Sequence, residues 1–265
     1  MSSATSPLAM FDSGVGGLAV LREVRELLPA EDIIYVADNR FFPYGARPRT
    51  DVLARARAIT SSLLRAGAKL IVVACNTATS AAIADLRAEW PDVPFVGMEP
   101  ALKPAAARTL AGRVALLVTP GTARGEKLAA LIDRYGAEVH VETIEAPGLA
   151  DLVEAGDVAG DAARMAVRDY IAKVEATGAD VLVLGCTHYA FLRPLFEEAA
   201  GDGLAVIEPS RAVAHQVRRL LDQRGLRRPE GRQQGIVRYL CSGDEATFAR
   251  VRDALLGSSV TPHRA

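Results

Sequence analysis

Leu70-Ile71-Val72-Val73-Ala74-Cys75-Asn76-Thr77 has a counterpart 111 residues further on, Val181-Leu182-Val183-Leu184-Gly185-Cys186-Thr187-His188. The same dipeptide precedes both, as Gly67-Ala68 and as Gly178-Ala179. A short Val/Leu/Ile run bounded by turn residues reads as a strand buried on both faces, the kind found in parallel sheets. In open α/β sheets, functional groups gather beyond the carboxyl ends of such strands. The register therefore places one thiol at the same end of each of two similar halves, and two thiols facing a common point can work as a pair.

Outward from these runs, apolar strand-like stretches alternate with amphipathic ones. Leu8–Phe11, Ile33–Val36, Lys69–Ala74 and Phe95–Gly97 read as strands, with helices ending near Leu28, over Asp51–Gly67 and over Thr79–Trp90. After Pro100 the pattern restarts: strands at Arg113–Val118, Glu138–Ile144, Val181–Leu184 and Leu204–Ile207. Helices are expected from about Thr122 to Tyr135, over Asp161–Thr177 and from Arg211 to about Gln223. A basic link, Arg224–Gln234, leads to a last strand, Ile236–Cys241, and a last helix, Glu245–Leu256. This rhythm argues for parallel sheets with helices on both faces. Two α/β domains related by an ancient duplication would turn their strand ends toward one cleft; one long continuous sheet fits the alternation equally.

The bulk properties exclude several classes. With Lys+Arg 31 against Asp+Glu 32, the net charge is −1, so no global field favours nucleic acid or an acidic membrane. Three cysteines in 265 residues make no secreted disulfide framework. The opening Met1–Pro7 lacks a basic region leading into an apolar one, so no signal peptide is expected. No run approaches the ~20 apolar residues of a membrane span. The expectation is a soluble, cytoplasmic chain with free thiols. Arg218–Arg232 reads as a solvated face, because no aromatic residues interleave with its charges.

Cys75 follows a strand and precedes Asn76-Thr77, both helix-capping types. A thiol at a helix N-terminus feels orphan N–H groups and a partial positive charge, which predicts a lowered pKa. Cys186-Thr187-His188 repeats the arrangement and adds an imidazole as proton partner. Asp12-Ser13-Gly14-Val15-Gly16-Gly17 resembles a phosphate loop but lacks its Lys-Ser/Thr ending, and reads as a tight strand-to-helix turn that needs glycine. Asp12 would end the first strand within reach of a ligand ammonium or a thiol. Pro43-Tyr44-Gly45 is a turn whose amides can bind a carboxylate. Thr119 and Thr122 are hydroxyls at a strand end or ordinary caps. No paired Cys or His spacing suggests a metal site. Cys241, outside both repeats, reads as structural.

Two thiols across a cleft suit either a disulfide switch or two Brønsted groups on opposite faces of one carbon. The second arrangement abstracts a proton from one side and delivers one to the other, with helix-terminal N–H groups holding a carboxylate. Such a racemase or epimerase needs no cofactor in principle. A small-acid-binding protein remains the alternative from a different class.

Phe11–Leu18, Pro43-Tyr44-Gly45, Val73–Ala78 and Leu184–Tyr189, in this order, resemble the bacterial glutamate racemases, members of the aspartate/glutamate racemase superfamily, over about Leu8 to Leu256. The resemblance implies pyridoxal-independent interconversion of L- and D-glutamate for peptidoglycan, without metal or other cofactor, by a cytoplasmic homodimer. It implies two similar, pseudo-twofold-related α/β domains with the active site between them: 1–98 plus 209–265, and 99–208. Cys75 would deprotonate D-glutamate and Cys186 L-glutamate, assisted by Asp12, His188 and Glu154. Asp12, Ser13, Pro43, Tyr44, Gly45, Asn76, Thr77, Thr187 and His188 match substrate-binding positions. Relatives act on aspartate, hydantoins, maleate or arylmalonates; His188 favours glutamate, since Glu is expected there for aspartate. The chain departs from the pattern at Asn39, where a small hydroxyl residue is expected, at Ala190-Phe191 in place of Pro-Leu, and at Glu208-Pro209-Ser210 in place of Asp-Ser.

Overall fold

The two cysteine-bearing runs become interior strands of two separate parallel sheets in a computed structural model that describes residues 3–135, 139–229, 231 and 234–257. The strands are β1 (Leu8–Asp12), β2 (Ile33–Ala37), β3 (Leu70–Val73), β4 (Phe95–Gly97), β5 (Arg113–Val118), β6 (His140–Glu145), β7 (Val181–Leu184), β8 (Ala205–Ile207) and β9 (Val237–Cys241). One sheet has the order β4-β3-β1-β2-β9 and the other β6-β5-β7-β8, and the paired strands of both run parallel. A single continuous sheet is thereby ruled out. The fold is α/β with two parallel sheets, and the last strand returns to the first of them.

The helices are α1 (Leu18–Leu27), α2 (Arg49–Arg65), α3 (Asn76–Glu89), α4 (Leu102–Arg108), α5 (Pro120–Ala123), α6 (Glu126–Tyr135), α7 (Leu149–Ala155), α8 (Asp161–Glu175), α9 (Arg193–Ala200), α10 (Ser210–Gln223) and α11 (Glu245–Leu256). The repeated Gly-Ala has a physical role. Gly67 (φ 83°) and Gly178 (φ 70°) take the left-handed conformation just past α2 and α8, ending each helix before the next buried strand. One expectation needs correction. The helix from Thr122 to Tyr135 is broken at Arg124-Gly125 into α5 and α6, and the sequence pattern gives no sign of α4, α7 or α9. The strand expected from Glu138 starts outside the described residues and is present from His140.

Side-chain alternation divides the core. Leu8, Met10, Leu70 and Val72 point to one face of the first sheet and join Ala115, Leu117, Leu182 and Leu184 of the second in one continuous apolar cluster. Ala9, Phe11, Ile71 and Val73 pack on the other face against α2 and α3, while Val114, Leu116, Val181 and Val183 face α4 and α6. A period of two along buried strands sends alternate residues to opposite faces. The shared cluster fixes the ends of β3 and β7 relative to each other. Among the described residues, no helix is long and apolar enough to cross a membrane.

At the opposite end of the first sheet, Lys69 Nζ donates to Glu31 Oε2 (2.5 Å) and to the Ala4 carbonyl (2.6 Å), with both ionic side chains buried. Glu31 Oε1 also accepts from the Arg228 amide (2.8 Å), which pins the chain as it returns toward β9. Burial pulls the Lys69 pKa down, against the opposing pull of Glu31. Removing one partner of a buried pair strands the other charge, so Lys69→Met is expected to cost about 3–5 kcal/mol of stability. Urea denaturation measures it, and a loss below about 1 kcal/mol would show that Glu31 is satisfied without the lysine.

Candidate active site

A cavity of about 370 Å³ lies between the carboxyl ends of the two sheets. Ser13, Phe42–Ala46 and Cys75–Thr77 line it from one side, and Thr119, Pro120, Arg124, Ala146–Gly148, Asp151 and Cys186–Tyr189 from the other. Every expected substrate-binding residue except Asp12 reaches this wall, as do both thiols.

Cys75 is the N-cap of α3, and its sulfur accepts from the Ala78 amide at 3.4 Å. The helix therefore starts three residues earlier than its apolar pattern indicates. Ser13 Oγ lies 3.9 Å from the same sulfur. The expected lowering of this thiol's pKa is overturned. Burial pushes it well above its ordinary value, the Asp12 charge pushes the same way, and the Ala78 amide offsets only part. Cys186 also departs from expectation. A 3-10 turn (His188–Leu192) separates it from α9, and its neighbour is a side chain: His188 Nδ1 at 3.7 Å.

The imidazole belongs to a chain of contacts. His188 Nε2 is 2.7 Å from Glu154 Oε1, and that oxygen also accepts from the Val15 amide at 2.6 Å. An ionised carboxylate only accepts, so Nε2 carries a proton, and Nδ1 is the nitrogen able to exchange one with Cys186. Burial lowers the His188 pKa, but hydrogen bonds to Cys186 and Glu154, with the charges of Cys186 and Asp12, outweigh it and leave it well above its usual range. Phe42 packs on the ring, with centroids 5.5 Å apart.

Asp12 and Glu154 stand behind the cavity wall. Asp12 is fully buried; Oδ1 accepts from the Ser13 amide (2.7 Å) and Oδ2 from the Gly17 amide (2.6 Å). Burial raises its pKa, and His188 and these amides pull it back only in part. The glycines between them are needed for space, not for backbone freedom, since none of Gly14, Gly16 and Gly17 has a positive φ. A Cβ on Gly14 would lie 1.7 Å from Glu154 Oε1, and one on Gly16 would lie 2.4 Å from His188 Nδ1. The segment that resembles a phosphate loop is a bare strip on which the Glu154–His188 pair rests.

The substrate loop is anchored from beneath. Asp38, with no exposed surface, takes two bonds from Arg55 (2.8 and 3.0 Å) and one from the Tyr44 hydroxyl (2.6 Å). Burial raises the Asp38 pKa, but the Arg55 and Tyr44 hydrogen bonds hold it below its usual range. Tyr44, which lines the cavity, is thus fixed through its hydroxyl. The Asn76 amide is 4 % exposed, and both its polar atoms lack a partner, which suits it to receive a ligand.

Sequence reasoning leaves Phe42, Arg124 and Asp151 out of the site and sees Thr119 and Thr122 only as strand-end hydroxyls. In the structure, Thr77 Oγ1 is 3.1 Å from Thr119 Oγ1 and 3.2 Å from Thr122 Oγ1. This hydroxyl cluster joins the two sides of the cavity. Among the described residues, no group of three His, Cys, Asp or Glu side chains is placed to hold a metal ion.

Comparison with known proteins gives a consistent result. Residues 15–217 match the family model described as Asp/Glu/Hydantoin racemase. The chain is 46 % identical over 263 residues to the glutamate racemase of Ectopseudomonas mendocina (strain ymp), covering 99 % of each chain. Among solved structures it is similar to the glutamate racemase isoform RacE1 from Bacillus anthracis, with TM-score 0.87, 27 % identity and coverage of 98 % and 97 %. It is also similar to Escherichia coli glutamate racemase in complex with L-glutamate and the activator UDP-MurNAc-Ala, with TM-score 0.82, 31 % identity and coverage of 94 % and 95 %. Likeness on this scale, in sequence and in fold, places the chain in the Asp/Glu/hydantoin racemase family.

Proposed function

We propose that this chain interconverts L- and D-glutamate by a two-thiol proton transfer at Cα. One observation carries the reading: Cys75 and Cys186, from the ends of strands in two different sheets, line one cavity. Two bases with access to opposite faces of a carbon are what inversion requires. One takes the proton while the other, still protonated, delivers its own. In the L-to-D direction Cys186 abstracts and Cys75 donates; in the reverse direction the roles exchange.

The surroundings of the two thiols differ. His188, kept cationic by its raised pKa, presents a proton at Nδ1 to the Cys186 sulfur while Glu154 holds its other edge. Cys75 rests protonated beside the Asp12 carboxylate, ready to donate. A substrate ammonium near Asp12 would offset that negative charge and ease loss of the Cys75 proton in the other direction. The amides at the start of α3, with Asn76, Thr77 and Thr187, would hold a carboxylate and stabilise charge developing on it. Ser13, the backbone of Pro43-Tyr44-Gly45 and Thr187 would complete the substrate's enclosure.

The same reading assigns residues 1–98 plus 209–265 to one domain and 99–208 to the other, consistent with β9 pairing beside β2. It makes the chain a cytoplasmic homodimer that supplies D-glutamate to peptidoglycan. Purified protein, with no cofactor added, is expected to exchange the Cα hydrogen of either glutamate enantiomer with solvent deuterium and to produce the other. Proton NMR in D2O reads both; a Cα signal that persists with glutamate but fades with aspartate would sink the assignment to glutamate.

A further inference from the structure

Asn39 opens a 3-10 turn directly after β2, and its amide bridges two elements that lie far apart in the chain, α7 and the end of β9. Its Nδ2 donates to Glu154 Oε2 at 3.3 Å, while its Oδ1 accepts from the Cys241 thiol at 3.1 Å. Cys241 ends β9, in register beside Ala37 of β2. The two contacts settle which way the amide points. A carboxylate cannot donate, so the NH2 group must face Glu154, and the thiol supplies the one donor the carbonyl oxygen then needs. Gly243 closes the third side, with a Cβ there coming within 3.2 Å of Asn39 Cβ. Glu154 is thereby held at both oxygens: Oε1 by the Val15 amide and His188, Oε2 by Asn39.

We infer that Asn39 is a positioning residue for the Cys186 half of the reaction, acting through Glu154 and His188, with Cys241 setting the direction of its amide. The inference rests on the reading of Cys186 as the base toward L-glutamate. Asn39 touches neither Cys75 nor Cys186 and does not line the cavity, so its influence passes along one line: Cys241, Asn39, Glu154, His188, Cys186. Among the described residues the Cys75 side has no equivalent, since its carboxylate, Asp12, is held by amides of its own loop.

This one-sidedness defines the experiment. The enantiomers of glutamate have equal free energy, so kcat/KM must remain equal in the two directions for every variant. The primary isotope effect is not so bound. With Asn39→Ala, proton transfer at Cys186 becomes harder, and kcat is expected to fall about tenfold, the scale of one hydrogen bond to a charged group. The isotope effect should then rise for L-glutamate deuterated at Cα, whose labelled bond breaks in the impaired step. It should fall for labelled D-glutamate, whose bond breaks in the step that is no longer limiting. Asn39→Asp keeps the shape but sets a second carboxylate against Glu154, and should shift both effects further the same way. These ratios are independent of how much protein folds. Equal changes from the two enantiomers, or no change, would overturn the inference. Cys186→Ser that still racemises would overturn the underlying reading instead, whatever Asn39 does.

Discussion

Cys75→Ser and Cys186→Ser are each expected to lower racemisation of glutamate about 10³-fold in both directions, within the range spanned by loss of a general acid–base group. A serine hydroxyl has nearly the same shape as the thiol but ionises far less readily, so it neither takes nor gives the Cα proton at useful rates. In the proposed two-base mechanism each thiol serves both directions, as base for one enantiomer and acid for the other; loss of either one therefore removes one of the two proton transfers that inversion needs. Solvent exchange separates the two variants. Cys186→Ser keeps Cys75, and should still wash deuterium into D-glutamate with retention while leaving L-glutamate untouched. Cys75→Ser should do the opposite. Both thiols lie on the cavity wall, so each surviving one retains access to its substrate face. A single variant that inverts glutamate at more than about a tenth of the parent rate would end the two-base reading.

His188→Gln is expected to reduce kcat about 10²-fold, with the loss concentrated in proton transfer at Cys186. Glutamine can donate a hydrogen bond to Glu154, but it offers no nitrogen that titrates 3.7 Å from the sulfur. The same residue gives a pH signature in stability. Its folded pKa lies well above the unfolded value of 6.5. A raised cationic group contributes its full stabilisation below pH 6.5 and loses it as pH rises through the folded value. The parent should thus lose stability on going alkaline through that window, and His188→Gln should lose less. Thermal unfolding against pH measures the difference, and parallel curves would place the raised pKa elsewhere.

The sequence discloses the two thiols better than their surroundings. Val/Leu/Ile runs stopped by Cys-Asn-Thr and Cys-Thr-His suffice to put both sulfurs at strand ends, because buried parallel strands leave so short and apolar a signature. The segments after the two cysteines diverge for a reason that the strand pattern does not carry. Pro194 stands in the first turn of α9, where a missing N–H costs nothing, so that helix begins at Arg193 and a 3-10 turn fills the interval after Cys186. No proline delays α3, and Cys75 becomes its cap. The direction of the Cys75 titration is not legible in the sequence, because helix-end polarity is local while burial depends on everything packed around the sulfur. Glu154 is reachable by resemblance alone. Its contact with Val15 spans 139 residues, and its helix, α7, is short and bounded by left-handed Gly148 and Gly156, which breaks up any readable periodicity. Asn39 reads in the sequence as a local departure near the substrate loop; its meaning lies in the two distant side chains that hold it.

The hydroxyl cluster of Thr77, Thr119 and Thr122 has a mechanical consequence. Thr77 and Thr119 come from opposite sides of the cavity, and this clasp joins those sides with neutral groups. A neutral hydrogen bond contributes only about 1 kcal/mol net, because water replaces it when it breaks. An ion pair in its place would attract or repel the substrate's two carboxylates on every passage. With hydroxyls, the two sides are joined without adding to the charge that the substrate meets, whichever enantiomer is bound.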